Sequence, residues 1–256
     1  MADYLSGMKR NSIAAMLLLT SLLAPTCAAR SEQRIELSGQ SGIELPVIYD
    51  AVAAPRASVI LFVGGDGDIA HETDSFLLRV RTRFVAAGMS VALPDTPSDH
   101  PGGFGPVFRT WTAHMQDVAA IVAFLKGQAP VPVWAVGTSN GTISAAAAAA
   151  YLRPGGVDGV VLTSSVWLDA LRLVPVEKIA VPVLVVHDRD DGCPASQFSL
   201  EEKNWGRFAS APSKKLIAVT GGGAGGPRCG TGSPHDFYGI DNRVVPPIID
   251  WIKTHD

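Results

Sequence analysis

The sequence has little charge, no cluster of basic residues, no internal repeat and no linker between domains. Charged residues make up 18% of its 256 residues, and the formal net charge is only -3. Lys and Arg are scattered, which argues against the electrostatic footprint of a nucleic-acid-binding protein. With 47% hydrophobic residues, the composition suits one compact domain of ordinary size.

Near the N-terminus, the apolar run 13–24 is too short for a comfortable membrane span, which takes about 20 residues. Two basic residues precede it and small residues follow it, the three-part pattern of a secretory signal. We therefore predict a signal peptide over residues 1–29, cut near Ala28 or Ala29. The remaining domain, 30–256, is expected to be exported, periplasmic or secreted, without stable membrane insertion.

Cleavage there would remove Cys27 and leave an even pair of cysteines, Cys193 and Cys229. An even pair in an exported protein indicates a disulfide, which would stabilise the fold by about 4 kcal/mol in the chain-entropy model. Three alternatives stay open at this point. They are an uncleaved anchor, a lipoprotein modified at Cys27, and two free buried thiols.

Short apolar runs rich in β-branched residues alternate with helix-like segments through most of the chain, after an antiparallel start. This alternation predicts an α/β fold with a mostly parallel central sheet, an antiparallel N-terminal hairpin and helices on both faces. Ligands of such sheets bind beyond the carboxyl ends of the strands. Strands are predicted over 34–39, 43–50, 58–63, 90–94, 131–136, 157–166, 183–188 and 215–220, and helices over 75–87, 115–126, 142–152, 168–173 and 244–254.

A Gly-Thr-Ser-Asn-Gly corner at 137–141 joins a buried strand to an alanine-rich helix. The short motif is weak evidence alone, but the strand–turn–helix context is what a nucleophile elbow requires. So tight a turn forces Ser139 into an uncommon backbone conformation, and Gly137 and Gly141 allow the chain segments to approach closely. We predict that Ser139 is a nucleophile, with a plain turn residue as the alternative.

A serine nucleophile needs a base and a residue that orients this base. His235 lies in a glycine-rich loop after the last predicted strand, and Asp191 follows the preceding strand by a few residues. A surface-loop role for the histidine and a turn role for the aspartate are the alternatives. Asp190 is the main rival for the acid. His187 is expected to pack or hydrogen-bond behind the acid loop.

The corner, the segment 187–191 and the Ser-Pro-His sequence ending at His235 together resemble the α/β-hydrolase superfamily over nearly all of the chain after the signal. The resemblance implies a catalytic triad of Ser139, Asp191 and His235. The acid segment is similar to the family's His-Gly-x-x-Asp, although Asp188 stands where the family has glycine.

The resemblance also implies an oxyanion hole made of backbone N–H groups. Asn140 N–H is one expected donor, and Gly65 or Asp66 N–H is the other. The segment that carries them, Gly64–Gly67, lacks the histidine of the family's His-Gly-Gly-Gly. Because the role needs only backbone N–H groups, this loss is tolerable.

A bridge between Cys193 and Cys229 would connect the acid loop to the long glycine-rich loop that carries His235. That loop is otherwise costly to order, so we expect the disulfide to preorganise the triad.

Only residues 167–181 separate two predicted strands, which indicates little or no cap over the site. Three aromatic residues lie in the glycine- and proline-rich loop before the helix predicted over 115–126. They either line the site or pack beside it: Phe104, Phe108 and Trp111.

The predicted function is an exported serine hydrolase that cleaves carboxylic esters through an acyl-enzyme, with a small-molecule acyl substrate. A peptidase, thioesterase or lactonase on the same fold and a non-catalytic exported binding protein remain open. No cofactor and no metal is predicted, because the candidate metal ligands 66, 68, 71 and 72 are irregularly spaced. The sequence does not indicate the physiological substrate or the oligomeric state.

Overall fold

The computed structural model describes residues 31–39, 42–223 and 225–255. The predicted signal peptide, 1–29, lies outside the described residues. Within the described residues, no helix is both long and apolar enough to cross a membrane.

Eight strands form one sheet, in the order β1-β2-β4-β3-β5-β6-β7-β8. β1 pairs antiparallel with β2, and β2 pairs antiparallel with β4. All other neighbours are parallel, as the alternating sequence pattern predicts. The strands are β1 Ser31–Ser38, β2 Glu44–Ala51, β3 Ala57–Phe62, β4 Met89–Pro94, β5 Val133–Thr138, β6 Gly159–Thr163, β7 Val183–Asp188 and β8 Lys214–Val219.

Helices cover both faces of the sheet because the central strands are apolar on both sides. In β5, Trp134 and Val136 contribute to the core on one face, while Val133 and Ala135 contribute to the core on the other. The described helices are α1 Phe76–Ala86, α2 Thr112–Gln128, α3 Gly141–Tyr151, α4 Phe198–Asn204 and α5 Asp241–Thr254. Residues of α1 and α5 pack in one core, and residues of α2 and α3 pack in the other.

The alanine-rich helix α3 lies close against the sheet, and its alanines 145–149 are buried. Small side chains permit this approach, which fixes the N-terminus of α3 at the carboxyl end of β5. Every predicted strand and the longer helices are present, with ends shifted by a few residues. The strand predicted over 157–166 ends at Thr163, because Ser164 takes a positive φ of 50°.

The predicted helices differ from the structure in two places. The predicted helix 168–173 is only a 3₁₀ turn at Ala170–Leu173. Helix α4 was missed, because its seven residues include three charged side chains and too few apolar residues to define a helical period. The connection between β6 and β7 holds only two short 3₁₀ turns, so little covers this end of the sheet.

Candidate active site

Ser139 stands at the turn between β5 and α3 with a φ of 51°. This is the left-handed region that a residue with a side chain rarely adopts. The chain passes so tightly here that a Cβ on Gly141 would collide with the carbonyl oxygen of Phe62, and one on Gly137 with the carbonyl of Gly141. The glycines therefore allow the contact that presents the serine at the sheet edge.

Replacing Gly141 with alanine is expected to lower the free energy of unfolding by about 3 kcal/mol, because the added methyl group must displace backbone rather than a side chain. Gly127→Ala is the matched control, since its Cβ would meet no atom within 4 Å. This control is expected to be neutral or stabilising by up to about 1 kcal/mol, since the position lies within helix α2. Urea denaturation of both variants checks the difference, and equal stability of the two would contradict it.

The structure brings the three predicted side chains into one hydrogen-bonded series. Ser139 Oγ lies 2.9 Å from His235 Nε2, and His235 Nδ1 lies 2.9 Å from Asp191 Oδ2. A carboxylate can only accept, so Nδ1–H donates to Asp191 and Nε2 is left to accept the serine O–H. In this tautomer the imidazole can take a proton from Ser139.

Asp191 is held as a carboxylate. Burial alone raises its pKa, but hydrogen bonds from His187 and His235 outweigh burial and hold the pKa of Asp191 well below its usual range. Its Oδ1 also accepts from the backbone N–H of Cys193 at 2.8 Å. Asp190, the rival acid, is exposed and instead accepts from the N–H of Gly221.

Ser196 is a member of this cluster that sequence reasoning missed. Its hydroxyl lies 2.7 Å from Asp191 Oδ2 and 2.8 Å from His235 Nδ1, and the residue is fully buried. The hydroxyl donates to the carboxylate and can accept from the imidazole N–H, so it ties the two groups together. Ser196 lies in the β7–α4 loop without a motif around it, so only the folded loop reveals the contact.

Backbone contacts fix the loop that carries His235. Ser164 Oγ donates to the His235 carbonyl oxygen at 2.6 Å. The next residue, Asp236, accepts from the N–H of Phe76 at the start of α1 and pairs with Arg79 at 2.9 Å. Burial raises the pKa of Asp236, although Arg79 opposes this shift. Contacts from the residue after β6 and from α1 therefore fix the backbone that carries the imidazole of His235.

The structure contains the predicted disulfide between Cys193 and Cys229. Cys193 is buried, two residues after Asp191, and Cys229 is exposed beside the cleft that opens over Ser139 and His235. The bridge therefore joins the β7–α4 loop to the glycine-rich loop that carries His235.

We expect the double variant Cys193→Ser/Cys229→Ser to lose about 4 kcal/mol of unfolding free energy, by the loop-closure model. If the bridge also orders the site, kcat at a temperature well below melting falls as well. Thermal denaturation and steady-state kinetics check the two effects, and reductant added to the double variant controls for nonspecific damage. A folded, bridge-free protein with unchanged turnover would contradict the preorganisation hypothesis.

The predicted oxyanion loop runs beside the serine, since a Cβ built on Gly64 would come within 3.0 Å of Ser139 Cβ. Buried Arg109 donates to the carbonyl oxygen of Gly64 at 3.2 Å, and Asn140 Nδ2 donates to that of Gly65 at 2.9 Å. In a trans peptide the N–H points opposite to the C=O. The N–H groups of the next residues, 65 and 66, therefore point away from these two side chains.

Arg109 was not predicted from the sequence. It is a buried cation whose guanidinium also bonds Ser144 Oγ at 3.0 Å and lies over the ring of Phe104. Burial lowers its pKa to about 10, although Glu72 and Asp66 favour the charged form. Arg109 thus remains charged at neutral pH beneath the oxyanion loop.

A cleft of about 640 Å³ opens over Ser139 and His235, lined also by Glu72, Cys229 and Thr231. Burial raises the pKa of Glu72.

The three aromatic residues that the sequence singled out are absent from the lining of this cleft. Phe104 and Phe108 are buried against each other, and Trp111 is 55% exposed. Phe104 also lines a neighbouring groove with Asn140. Of the candidate metal ligands, His71 Nδ1 bonds the Asp66 carboxylate at 2.9 Å.

No protein-family model and no curated protein sequence matches this chain. Solved structures do match. An esterase of Pyrococcus furiosus is 14% identical with a TM-score of 0.63, over 88% of this chain and 93% of that one. A cold-adapted esterase from an Arctic intertidal metagenomic library is 18% identical with a TM-score of 0.62, again over 88% of this chain and 93% of that one.

A third match is an α/β serine hydrolase without lid from Xanthomonas campestris. It is 16% identical with a TM-score of 0.57, over 88% of this chain and 93% of that one. At these identities the matches show a shared fold. The chain therefore has the α/β-hydrolase fold, as the sequence resemblance implied.

Proposed function

We propose that this protein is an exported serine hydrolase that cleaves carboxylic esters through an acyl-enzyme. The observation that carries the proposal is the unbroken series from Ser139 Oγ through His235 to Asp191, with 2.9 Å at each step. Its serine end opens into a cleft and its carboxylate end is buried. This is the arrangement that general-base activation of a serine requires.

In the acylation step, Ser139 Oγ attacks the ester carbonyl carbon while His235 Nε2 takes the hydroxyl proton. Asp191 stabilises the imidazolium that forms, and it keeps its own charge. The tetrahedral oxyanion is held by the N–H of Asn140 and by that of Gly65 or Asp66, each worth about 3 kcal/mol. The intermediate collapses, the C–O bond to the alcohol breaks, and His235 returns the proton to the departing alcohol.

Deacylation repeats these steps with water. His235 takes a proton from a water molecule, whose oxygen attacks the acyl carbon. The second tetrahedral intermediate expels Ser139 Oγ, which recovers the proton, and the carboxylic acid leaves. No redox step occurs, and each proton that His235 takes from Ser139 or from water it returns to the departing alcohol or to Ser139 Oγ.

A small soluble ester is the proposed substrate. The short β6–β7 connection and the open cleft support a site that small acyl compounds enter without a lid movement. Two neighbours in structure are described as esterases, which supports the same chemistry here. The disulfide supports export, because such bridges persist in oxidising compartments.

The proposal is tested by matched ester, amide and thioester substrates that share one acyl group, over a series of acyl chain lengths. We expect the ester to have the largest kcat/KM and the shorter acyl chains to be preferred. A larger kcat/KM for the amide or the thioester would reassign the enzyme to peptidase or thioesterase chemistry. No turnover of any of the three would favour a binding protein that kept the fold.

A further inference from the structure

Behind the carboxylate of Asp191 lies a second ionisable cluster that the proposed mechanism does not use. His187 is the fifth residue of β7, and Glu201 lies on α4. Their side chains, like that of Asp191, are 0% exposed. Trp167, in the β6–β7 connection, is buried beside them.

The contacts make the cluster continuous with the triad. His187 Nε2 lies 3.3 Å from Asp191 Oδ2 and bonds the carbonyl oxygen of Ser196. On the other side of the ring, His187 Nδ1 lies 3.6 Å from Glu201 Oε2. Glu201 Oε2 in turn accepts a hydrogen bond from Trp167 Nε1 at 2.8 Å. One histidine therefore stands between two buried carboxylates.

Two buried carboxylates at this spacing are costly unless a cation lies between them. The titratable groups that face His187 are Asp191 in the following loop and Glu201 on α4. On the adjacent strand β8 it pairs with Ala218, which carries no charge. Burial lowers the pKa of His187, but the two carboxylates beside its ring outweigh burial and raise the pKa to about 9. At neutral pH His187 is thus an imidazolium that lies between the two acidic side chains.

We propose that His187, held as a cation between Glu201 and Asp191, is a positioning residue that keeps Asp191 ionised and directed at His235. This inference rests on the proposed function, since it concerns the acid of that triad. His187 touches neither substrate nor Ser139, and it acts only through Asp191. Glu201, fixed by Trp167, supplies the second negative charge that keeps the imidazolium in place.

Without the cation, Asp191 and Glu201 would compete for one proton, because like charges in a shared buried site cannot both stay ionised. A protonated Asp191 no longer offers His235 an anionic acceptor. Ester hydrolysis would then fail at a pH where the natural protein still works. The effect on pH dependence separates this role from a packing role, which would lower activity equally at every pH.

The kinetic test compares His187→Gln with the double variant His187→Gln/Glu201→Gln. In the single variant the acidic limb of kcat/KM against pH is expected to move upward by about one unit or more, with KM unchanged at the pH optimum. The double variant removes the cation together with its second carboxylate, so the limb is expected to return towards its natural position. Limbs that stay in place in both variants would overturn the proposal.

A second measurement uses the natural protein and needs no variant to fold. In ¹⁵N-histidine-labelled protein at pH 7, His187 is expected to show two protonated ring nitrogens, and to lose one proton only near pH 9. A neutral tautomer at pH 7 would overturn the proposal. Labelling of Ser139 by a fluorophosphonate, measured on the same sample, reports the proposed function independently. The prediction for the protonation state of His187 and the prediction for the reactivity of Ser139 can therefore fail independently of each other.

Discussion

Replacing Ser139 with alanine is expected to lower kcat for ester hydrolysis by about 10⁶-fold, the loss typical of removing the nucleophile of a triad. The attacking oxygen disappears, and His235 is left without the proton it accepts. Because Ser139 is half-buried and already holds a strained φ of 51°, alanine adopts the same backbone at a similar cost. The melting temperature is therefore expected to change little.

Steady-state kinetics on the best ester, with circular dichroism to confirm folding, check this result. Ser210→Ala is the matched control, because Ser210 is exposed and its hydroxyl donates to the carbonyl oxygen of Glu177, away from the cleft over Ser139. The control is expected to keep full activity. Ester turnover that survives Ser139→Ala would assign the chemistry to another residue.

Replacing Asp191 with asparagine is expected to lower kcat by about 10⁴-fold, as for other triads in which the acid becomes an amide. An amide can donate to His235 Nδ1 and so favour the tautomer that carries its proton on Nε2. That nitrogen faces Ser139 Oγ at 2.9 Å and could then no longer accept the serine proton. KM is expected to change little, since the acid lies on the far side of the imidazole from the substrate.

Asp190→Asn is a direct control for this experiment, because it makes the same chemical change one residue away. Asp190 is exposed and bonds the N–H of Gly221, so its variant is expected to keep activity within about threefold, a surface-scale effect. A large loss in Asp190→Asn with a small loss in Asp191→Asn would reverse the assignment of the acid.

The fold could be predicted from the sequence because its signals are local and repeated. Buried strands such as β3 and β7 contain short apolar runs, and several of the intervening helices have apolar residues repeating at helical spacing. The carboxyl ends of parallel strands meet at one edge of the sheet. For that reason Ser139, Asp191 and His235 could be placed together although they lie far apart in the chain. Their catalytic roles stay predictions until the variants are measured.

The supporting residues could not be predicted, because their contacts depend on the folded loops and no local pattern reports them. Ser196 meets Asp191 only through the turn of the β7–α4 loop. Glu201 belongs to a helix too short and too charged to show an apolar period. Arg109 reaches the predicted oxyanion loop across 45 residues of chain. In each case a polar group is satisfied by a partner that the folded chain brings to it, and such pairings are visible only in three dimensions.

The central claim is that position 139 carries a reactive serine, and covalent trapping tests it most directly. The folded natural protein is incubated with a fluorophosphonate, its intact mass is measured, and the modified peptide is sequenced. The account predicts one adduct per chain, on the peptide that contains Ser139, and none in Ser139→Ala. An adduct on any other residue, or none on the folded protein, would contradict it.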